Sequence, residues 1–339
     1  MCNKTLTISI AAYNVEQYLG CTLDSIVACE SLPEIDVVVV NDGSQDGTLA
    51  LANKYANLYP DSIRVIDKLN GGYGSVINVS ILEAAGRYYR LLDGDDWVDS
   101  KELDKLINYL NNTTADMVVT KYSSVRGSDI KHISLEWPYD SKTYSICDRL
   151  DYHYAMHMLT FKTELLYNVL VNEPIIEHTN YTDFEFNVKG ITACKTVAYL
   201  DADVYQYRLG REGQSVELNS WFRNIDKACG VTLHVSDFYE RVINDSQLFD
   251  DDVQNWALEQ CVGSASYKCT LMQMMGGGHK TYERLSGFLC SLNETSPSVY
   301  SALLREKSNI VHLCSSYLYF SLCSLPLHAK AMLLSRNGR

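Results

Sequence analysis

Three carboxylates that directly follow an apolar run are the residues best placed to do chemistry in this chain. The run is Tyr88–Leu92, and Asp93, Asp95 and Asp96 come after it, with Gly94 between the first two. Carboxylates crowded at the end of a strand repel one another, so a cation is expected among them. Mg²⁺ or Mn²⁺ carrying a diphosphate fits this pattern, and Gly94 lets the backbone approach a ligand closely. The alternative is a solvated acidic turn.

Alternating strand and helix patterns surround this acidic motif and indicate how it is positioned. Strands are predicted from β-branched and apolar runs, and helices from apolar residues at helical spacing. This alternation is typical of a mostly parallel, Rossmann-like sheet with helices on both faces. The predicted strands are Leu6 to about Ala12, Ile35–Val40, Ile63–Ile66 and Tyr88–Leu92. The predicted helices are Glu16–Ala28, Thr48–Leu58 and a third that begins in Asn70–Ser75 and ends at Ala84.

Polar and glycine-rich segments fall where these strands end. Tyr13 follows the first strand, Asp42 the second, Gly72 the third and Asp93–Asp96 the fourth. Ligands bind beyond the carboxyl ends of the strands in such sheets, so these four signals predict a single crevice. The loop residue Asp46 is expected to cap the following helix.

Four motifs in this region resemble those of the family 2 glycosyltransferases in order and spacing. They are Ile10–Asn14, Val40–Gly47, Asn70–Gly72 and Leu92–Trp97, within a match that covers roughly residues 5–215. The resemblance implies a GT-A fold and the transfer of a sugar, with inversion, from a nucleotide diphosphate. It also implies a divalent metal on the acidic motif, with the metal set Asp93, Asp95 and Asp96.

The resemblance assigns the nucleotide base to Tyr13 and Asp42. An aromatic ring can stack on a base, a contact of about 1–3 kcal/mol, and Asp42 can accept the imide N–H of uracil, which favours UDP. The alternatives are a tyrosine packed on the first helix and an Asx-turn at Asp42. Asp95 is the first choice for direct metal binding. The predicted substrate contacts are Ala12, Tyr13, Asn14, Asp42, Gly71, Gly72, Asn78, Asp93, Gly94, Arg208 and Arg211.

Two departures from the family pattern lie in the predicted donor site. Ala11 and Ala12 stand where a proline is common before the tyrosine, and Ile77 stands where many members carry an arginine. Asn78 fits the pattern. Without that arginine, the metal and backbone N–H groups are expected to carry more of the phosphate binding. A plain helix entry with flexible backbone is the alternative for Asn70–Ser75.

An inverting transferase needs a base for the acceptor hydroxyl, and the candidate is Asp183. The family often has a Glu-Asp pair at the start of a helix here; Thr182 replaces the glutamate and Asp183 keeps the base position. Glu185 is expected to point away. The alternative makes Thr182 and Asp183 helix caps. Glu177 and His178 are candidates to line the same site, although His178, like His153 and His157, is interpreted as a packed or surface residue.

Two arginines beyond the base are predicted phosphate partners. Arg208 and Arg211 follow a segment with the look of an edge strand, and a guanidinium offers a planar fork of donors. We expect one to bind ligand and the other to pair with a surface carboxylate. A second Asp-x-Asp, Asp201–Asp203, is interpreted as structural because it has the composition of an exposed turn and no glycine-rich loop before it.

The remainder of the chain reads as helices without a catalytic motif. Residues 1–215 are therefore predicted to be the transferase domain and 216–339 a helical C-terminal extension that packs on it and shapes the acceptor site or an oligomer contact. Gly276–Gly278 marks a break between helices. One apolar stripe at helical spacing is Trp221, Ile225, Ala228, Cys229 and Thr232.

Composition bounds the setting. A net charge of −13 argues against nucleic acid as a partner, and eleven cysteines without a Cys-x-x-Cys pair indicate reduced thiols in a cytoplasm. No signal peptide is expected. Ser308–Ala329 lacks charged residues and is interpreted as a packed helix; the alternative is peripheral contact with an anionic membrane, helped by Lys330, Arg336 and Arg339.

The sequence therefore predicts a metal-dependent, inverting enzyme that moves one sugar from a UDP-sugar to a hydroxyl of a cell-surface glycan or lipid-linked acceptor. The predicted location is the cytoplasm, and the inner face of the membrane if the acceptor is lipid-linked. Two alternatives are a non-catalytic nucleotide-sugar-binding protein and a nucleotidyltransferase. The latter should show a basic, glycine-rich loop after the first strand, where Tyr13–Glu16 stands instead. The donor sugar, acceptor, linkage and oligomeric state do not follow from the sequence.

Overall fold

The computed structural model describes residues 4–136, 139–150, 154–210, 218–244, 247, 249–276, 278–306 and 317–336. Its strands are β1 (Leu6–Ala12), β2 (Ile35–Asp42), β3 (Ile63–Lys68), β4 (Tyr88–Asp93), β5 (Trp97–Val98), β6 (Met117–Arg126), β7 (Asp129–Ile133), β8 (Thr143–Ser145), β9 (Leu159–Lys162) and β10 (Thr196–Arg208). Its α-helices are α1 (Glu16–Val27), α2 (Thr48–Leu58), α3 (Tyr73–Leu82), α4 (Ser100–Asn112), α5 (Thr163–Leu170), α6 (Asp183–Thr192), α7 (Leu218–Arg223), α8 (Ile225–Phe238), α9 (Asp251–Met275), α10 (His279–Thr295), α11 (Pro297–Glu306) and α12 (Tyr317–Arg336).

The first half of the sheet is parallel, with the strand order β3-β2-β1-β4. In its register, Ala11 lies beside Val40 on one side and beside Asp93 on the other. Asp42 ends β2 beside Lys68, the last residue of β3. The register therefore brings the loops after all four strands to the same edge of the sheet, as the sequence predicts.

The residues of β2 show why this half is buried on both faces. Val37 and Val39 belong to the core that α1, α2 and α4 cover, whereas Val38 and Val40 pack with Val76 of α3 on the opposite face. Successive side chains of a strand point to opposite faces, so a continuous β-branched run suits a sheet covered on both sides. This packing fixes the strand ends that carry the acidic motif.

The second half of the sheet is mixed, with the order β4-β9-β6-β10-β5. Strand β9 is antiparallel to both β4 and β6, while β10 runs parallel to β6. Strands β7 and β8 pair antiparallel with β6 and β10. The alternating pattern of the first ninety residues predicts only the parallel half.

Two sequence predictions about β10 are wrong. Val204–Arg208 does not form an edge strand, because β10 pairs with β6 on one side and with β5 and β8 on the other. Asp201–Asp203 lies within this strand and not in a turn. The pairing register shifts on both sides of Asp203, which is the irregularity of a bulge. A bulge bends the strand locally, and this explains the turn-like composition.

The chain divides into two compact units, which are Met1–His178 with Lys189–Arg211, and Thr179–Val188 with Glu212–Arg339. The second unit contains α7 to α12. Its predicted apolar stripe is buried at Ile225, Ala228, Cys229 and Thr232. The predicted helix break is confirmed, because α9 ends at Met275 and α10 begins at His279. Within the described residues, no helix has the length and apolar character needed to cross a bilayer.

Candidate functional site

The acidic motif lies at the end of β4, where β10 passes beside it. Asp96 is only 1% exposed, and both of its carboxylate oxygens accept hydrogen bonds. The Tyr205 hydroxyl donates to Oδ2 at 2.6 Å, and the Arg208 backbone N–H donates to Oδ1 at 2.7 Å. The Tyr205 hydroxyl also accepts the backbone N–H of Asp93 at 3.2 Å. The solvated-turn alternative is therefore wrong, because this turn is held inside the fold.

The charges of the motif act on one another. Burial first, and then the neighbouring carboxylates of Asp93 and Asp95, raise the pKa of Asp96 to about 9. Burial and the same acidic surroundings also raise the pKa of the Tyr205 hydroxyl well above its usual value. Such a cluster favours the binding of a cation, because a positive charge stabilises the ionised carboxylates.

A histidine completes a possible set of metal ligands. Ligand atoms of Asp93, Asp96 and His157 all lie within 4.8 Å of one another. Burial and the nearby Arg90 guanidinium lower the pKa of His157 to about 3, so its imidazole is neutral and able to bind a metal. Two carboxylates and an imidazole suit Mn²⁺ and related divalent ions. Asp95, the first choice from the sequence, is not one of these three, and its direct binding stays a prediction.

His157 is also packed, as the sequence suggests, but at the site itself. Its ring centroid lies 4.5 Å from that of Tyr205, 4.6 Å from that of Tyr207 and 5.1 Å from that of Tyr122. The residue belongs to a short 3₁₀ turn, Met156–Met158, that precedes β9. Sequence reasoning missed its position beside the acidic motif because β9 inserts next to β4 by an antiparallel pairing that no local pattern signals.

A fully buried arginine fixes the backbone of this histidine. Arg90, in the middle of β4, donates to the His157 carbonyl oxygen and to Thr160 Oγ1, the latter at 2.8 Å. It also reaches Thr120 Oγ1 at 3.3 Å. Burial lowers the pKa of this guanidinium to about 10, so it remains charged at neutral pH. Arg90 is therefore a positioning residue, which ties β4, β6 and β9 to the His157 turn.

Arg208, a predicted phosphate partner, lies against the acidic motif. Its Nε donates to the Asp95 carbonyl oxygen at 2.7 Å, and its guanidinium carbon lies 4.5 Å from the centroid of the Trp97 ring. The bond to the Asp95 carbonyl oxygen brings a positive charge to the turn that carries the acidic motif. The other predicted phosphate partner, Arg211, lies outside the described residues.

The glycine-rich loop is bound by Asp42, which is 3% exposed. The Asp42 carboxylate accepts the backbone N–H of Gly71 at 2.9 Å and that of Gly72 at 2.8 Å. It also forms an ion pair with Lys68 Nζ at 2.8 Å. The Asx-turn alternative places the cap in Asp42's own loop, whereas these bonds reach another segment. The N–H groups of Gly71 and Gly72 therefore donate to Asp42, and base recognition by Asp42 stays a prediction.

Gly72 and Lys68 show how the local sequence builds this loop. Gly72 precedes α3 with a φ of +81°, in the left-handed region that glycine adopts without strain. Sequence reasoning missed Lys68. The strand register alone could have found it, because Lys68 ends β3 directly beside Asp42. Its ammonium donates to Ser75 Oγ at 2.8 Å and so brings positive charge to the start of α3, where the buried Ile77 carries none.

The loop after β1 presents an exposed ring and a linking amide. Tyr13 is 51% exposed beyond the buried Ala12, which agrees with a ring that stacks on a base and equally with the alternative of a half-buried ring packed on the first helix. Asn14 has a φ of 51°, and its Oδ1 accepts the Gln45 N–H at 2.8 Å. The backbone N–H of Asn14 donates to Ser44 Oγ at 3.1 Å. Asn14 therefore joins the first loop to the second, and donor binding by these residues stays a prediction.

Asp46 and Gly94 have structural tasks at the same edge. Asp46 Oδ1 accepts the N–H of Thr48, the first residue of α2, at 3.0 Å, so Asp46 binds the start of this helix although the N-cap residue is Gly47. The Gly94 N–H donates to the Ala11 carbonyl oxygen at 2.9 Å. A Cβ on Gly94 would lie 2.7 Å from that same oxygen, so the glycine is needed for close approach to β1. Its predicted approach to a ligand stays untested.

Asn78 ties the glycine-rich segment to the chain that leads toward the predicted base. Its side-chain amide donates to the Ile175 carbonyl oxygen at 2.8 Å and to Glu177 Oε1 at 3.0 Å. Its Oδ1 accepts the N–H of Ile175 at 2.9 Å. The His178 N–H also donates to the Gly71 carbonyl oxygen. These bonds make Asn78 a positioning residue in the structure, and direct substrate contact stays a prediction.

Asp183, the predicted base, is the first residue of α6 and belongs to the second unit. The residue keeps solvent-exposed surface, yet the protein packed around its carboxyl group raises the pKa by desolvation. The Phe184 N–H and the charge of Lys268 act in the opposite direction. Asp183 is thus reachable by solvent and a better proton acceptor than an ordinary aspartate.

The neighbours of Asp183 differ in what they do. The Thr182 hydroxyl is buried and has no hydrogen-bond partner among the described residues, so its side chain does not cap α6. Glu185 is fully buried, and its Oε1 lies 2.7 Å from His234 Nδ1. This pairing with His234 agrees with the prediction that Glu185 points away from Asp183.

Comparison with known proteins places these features in a family. The sequence model described as Glycosyl transferase family 2 matches residues 7–169. The chain is 28% identical over 216 residues to "Glycosyltransferase GlyA" of Streptococcus pneumoniae, which covers 60% of this chain and 30% of that protein. It is 23% identical over 300 residues to the poly(ribitol-phosphate) beta-N-acetylglucosaminyltransferase TarS of Staphylococcus aureus, covering 88% of this chain and 48% of TarS.

Solved structures share the fold. A crystal structure of S. aureus TarS 1-349 in complex with UDP-GlcNAc matches with a TM-score of 0.68 at 19% identity, covering 99% of this chain and 92% of that one. A mannosyltransferase from Pyrobaculum calidifontis in complex with GDP-Man and Mn²⁺ matches with a TM-score of 0.50 at 14% identity, covering 96% and 86%. These likenesses confirm the predicted GT-A fold with its C-terminal helices. The chain spans between 30% and 60% of the length of the curated relatives named above and of EpsJ of Bacillus subtilis.

Proposed function

We propose that this chain, whose residues 7–169 match the Glycosyl transferase family 2 model, transfers a single sugar from a UDP-sugar to a hydroxyl group of a glycan or lipid-linked acceptor. The observation that carries this proposal is the convergence of Asp93, Asp96 and His157 at the end of β4. A cation site at this edge of the sheet is where a nucleotide diphosphate is expected to bind in an open α/β fold.

The donor site is formed by the loops after β1, β2 and β4. Tyr13 stacks on the base, and Asp42 supports the base pocket both directly and through Gly71 and Gly72. The preference for UDP is supported by the uracil imide, which Asp42 can accept, and by the complexes of TarS with UDP-GlcNAc and with UDP. Tyr13 is 51% exposed, so part of its surface is accessible to a base.

The acidic motif supplies the residues for a divalent ion at the diphosphate. Asp93, Asp96 and His157 would hold Mn²⁺ or Mg²⁺, which would supply Lewis-acid stabilisation of the departing nucleotide. Arg208 lies beside the same residues and offers guanidinium donors to a phosphate oxygen. Asp95 adds negative charge that strengthens cation binding from its place in the same turn.

Asp183 acts as the general base. It removes the proton from the acceptor hydroxyl, whose oxygen forms the new bond to the anomeric carbon of the donor. The bond from that carbon to the diphosphate oxygen breaks, and its electron pair leaves with the nucleotide. Attack opposite the leaving group inverts the anomeric configuration. The raised pKa of Asp183 supports this role, because a stronger base removes the hydroxyl proton more readily.

The acceptor is proposed from the relatives. TarS is named for transfer to poly(ribitol phosphate), and another relative, GgaB of Bacillus subtilis, is a minor teichoic acid biosynthesis protein that is 26% identical over 220 residues. We place this chain in the same broad class, the glycosylation of cell-surface polymers. A lipid-linked precursor would bring it to a membrane surface.

The test is transfer from UDP-sugars in the presence of Mn²⁺, with hydrolysis of the UDP-sugar followed in parallel. Wild-type protein should release UDP, Asp183→Asn should lose transfer, and Asp93→Asn should lose both reactions. Asp201→Asn is the matched control, because it neutralises the first carboxylate of the other Asp-x-Asp, which pairs with Lys121 at 2.7 Å. UDP-sugar binding by the wild type without any turnover would contradict the proposal and favour a non-catalytic binder.

A further inference from the structure

Three aromatic side chains form a cluster in the second unit, close in sequence and space to the proposed base. The aromatic cluster consists of Tyr181, from the segment before α6, Trp221 of α7 and Tyr267 of α9. The rings of Tyr181 and Trp221 are stacked, with centroids 3.8 Å apart and planes at 14°. Tyr267 meets Trp221 edge to face, with centroids 5.5 Å apart. Both geometries are attractive for aromatic rings.

The backbone of Tyr181 is held in an unfavourable conformation. Its φ is 68°, in the left-handed region that side-chain-bearing residues other than asparagine and aspartate rarely adopt. Such a conformation is strained and persists only where the surroundings impose it. The stacking on Trp221 is one contact that holds the Tyr181 ring in place, two residues before Asp183.

A buried lysine lies over the aromatic cluster. Lys268 is 7% exposed, and its ammonium lies 5.3 Å from the centroid of the Trp221 ring and 5.5 Å from that of Tyr267. The two rings attract the cation through their π faces. Because burial lowers its pKa to about 8, the ammonium is still largely protonated at neutral pH.

The hydrogen-bonding capacity of Lys268 is not used up. Among the described residues it donates one hydrogen bond, to Ser264 Oγ at 3.2 Å, and no carboxylate forms an ion pair with it. An ammonium carries three N–H donors. Burying a charge with unused donors is costly, and such groups are retained mostly where they bind or react. Lys268 is therefore positioned to receive oxygen atoms from a ligand.

We propose that Lys268, Trp221 and Tyr267 form the acceptor subsite, and that its ligand is a hydroxyl-rich molecule with an apolar C–H face, which is the chemistry of a sugar ring. Tyr267 is 45% exposed, so its ring offers a free face to the C–H side of the sugar. The Lys268 ammonium donates to a sugar hydroxyl oxygen. The assignment rests on the proposed function only in naming this sugar as the acceptor.

The proposed acceptor subsite lies close to Asp183, the proposed base. Lys268 and Asp183 each shift the pKa of the other through their charges, and Tyr181, stacked on Trp221, is two residues from Asp183. A hydroxyl group bound by Lys268 is therefore in the neighbourhood of the Asp183 carboxylate. Stacking of a nucleotide base on Tyr267 is the competing occupancy, and the experiment distinguishes the two.

The first experiment measures binding without any donor. Methyl β-D-glucopyranoside and ribitol serve as probes in ligand-observed saturation-transfer NMR with the full chain. We expect a saturation-transfer signal on the probes with the wild type and with Tyr267→Phe. With Tyr267→Ala this signal should be at least fivefold weaker. Tyr167→Ala is the matched control, since Tyr167 is a similarly exposed tyrosine on helix α5. Equal signals from wild type and Tyr267→Ala, or displacement of the glucoside by UDP, would overturn the proposal.

The second experiment measures transfer kinetics. Lys268→Met and Tyr267→Ala should raise the acceptor KM at least tenfold while the KM for the UDP-sugar changes less than twofold. If Lys268→Met does not fold, comparison of Tyr267→Phe with Tyr267→Ala decides between the two outcomes. An acceptor KM unchanged in Tyr267→Ala contradicts the subsite. Absence of turnover in the wild type contradicts the proposed function instead, and the donor-free NMR result still decides whether a sugar binds here.

Discussion

Replacing Asp42 by asparagine removes the charge that organises the glycine-rich loop. The carboxylate accepts from Lys68 and Gly71 through Oδ1 and from Gly72 through Oδ2. Asparagine can keep the Oδ1 bonds, but its amide N–H₂ then faces the N–H of Gly72. A buried N–H left without an acceptor costs about 1–3 kcal/mol, and replacing the ion pair with Lys68 by a hydrogen bond from the ammonium to a neutral amide oxygen costs about 1 kcal/mol more. We expect the free energy of unfolding to fall by about 2–4 kcal/mol.

Urea unfolding and amide exchange together test this prediction. In Asp42→Asn, peptides that contain Gly71 and Gly72 should lose protection, and UDP affinity should fall with them. Asp67→Asn is the matched control, because Asp67 is an exposed carboxylate on the neighbouring strand β3. Its replacement should change stability by less than about 1 kcal/mol, as for exposed polar pairs. Unchanged protection of both glycines in Asp42→Asn would refute the role assigned to this carboxylate.

Three further predictions concern the loop, the base and the histidine anchor. Gly74→Ala should lower the free energy of unfolding by about 1–3 kcal/mol, because the alanine Cβ would overlap a backbone carbonyl oxygen. Thermal unfolding measures this change, and unchanged stability would contradict the close packing at Gly74. The rate of sugar transfer should fall as the pH drops through the raised pKa of Asp183. Because the charge of Lys268 lowers this pKa, Lys268→Met should move the inflection of the pH–rate profile to higher pH. An inflection that does not move upward would contradict Asp183 as the base. Arg90→Met should weaken Mn²⁺ binding about 10–100-fold by calorimetry, since it releases the His157 carbonyl; wild-type affinity would contradict a positioning role.

The parallel half of the fold is predictable because each signal is local. The β-branched run from Ile35 to Val40 and the loop after it identify β2 and its carboxyl end without any tertiary information. The convergence of Tyr13, Asp42 and Asp93 then follows from the rule that parallel strands end at one edge. The strand register in the structure agrees with that inference.

The missed residues depend on contacts that are distant along the chain. His157 reaches Asp93 only because β9 inserts antiparallel beside β4, and a four-residue strand gives almost no periodic signal. The prediction of an edge strand at Val204–Arg208 was wrong for a related reason. Tyr205 looks like a polar-tipped surface residue in sequence, but its hydroxyl is buried against Asp96. Lys268 and Trp221 are likewise joined only by helix packing.

Calorimetric titration with Mn²⁺ in the presence of UDP tests the central claim, that Asp93, Asp96 and His157 together hold a divalent cation. We predict that Asp93→Ala and His157→Ala each lower Mn²⁺ affinity at least a hundredfold, while Asp201→Ala, in the other Asp-x-Asp, binds as the wild type does. Wild-type affinity in both Asp93→Ala and His157→Ala would contradict the claim, and so would an equal loss in Asp201→Ala.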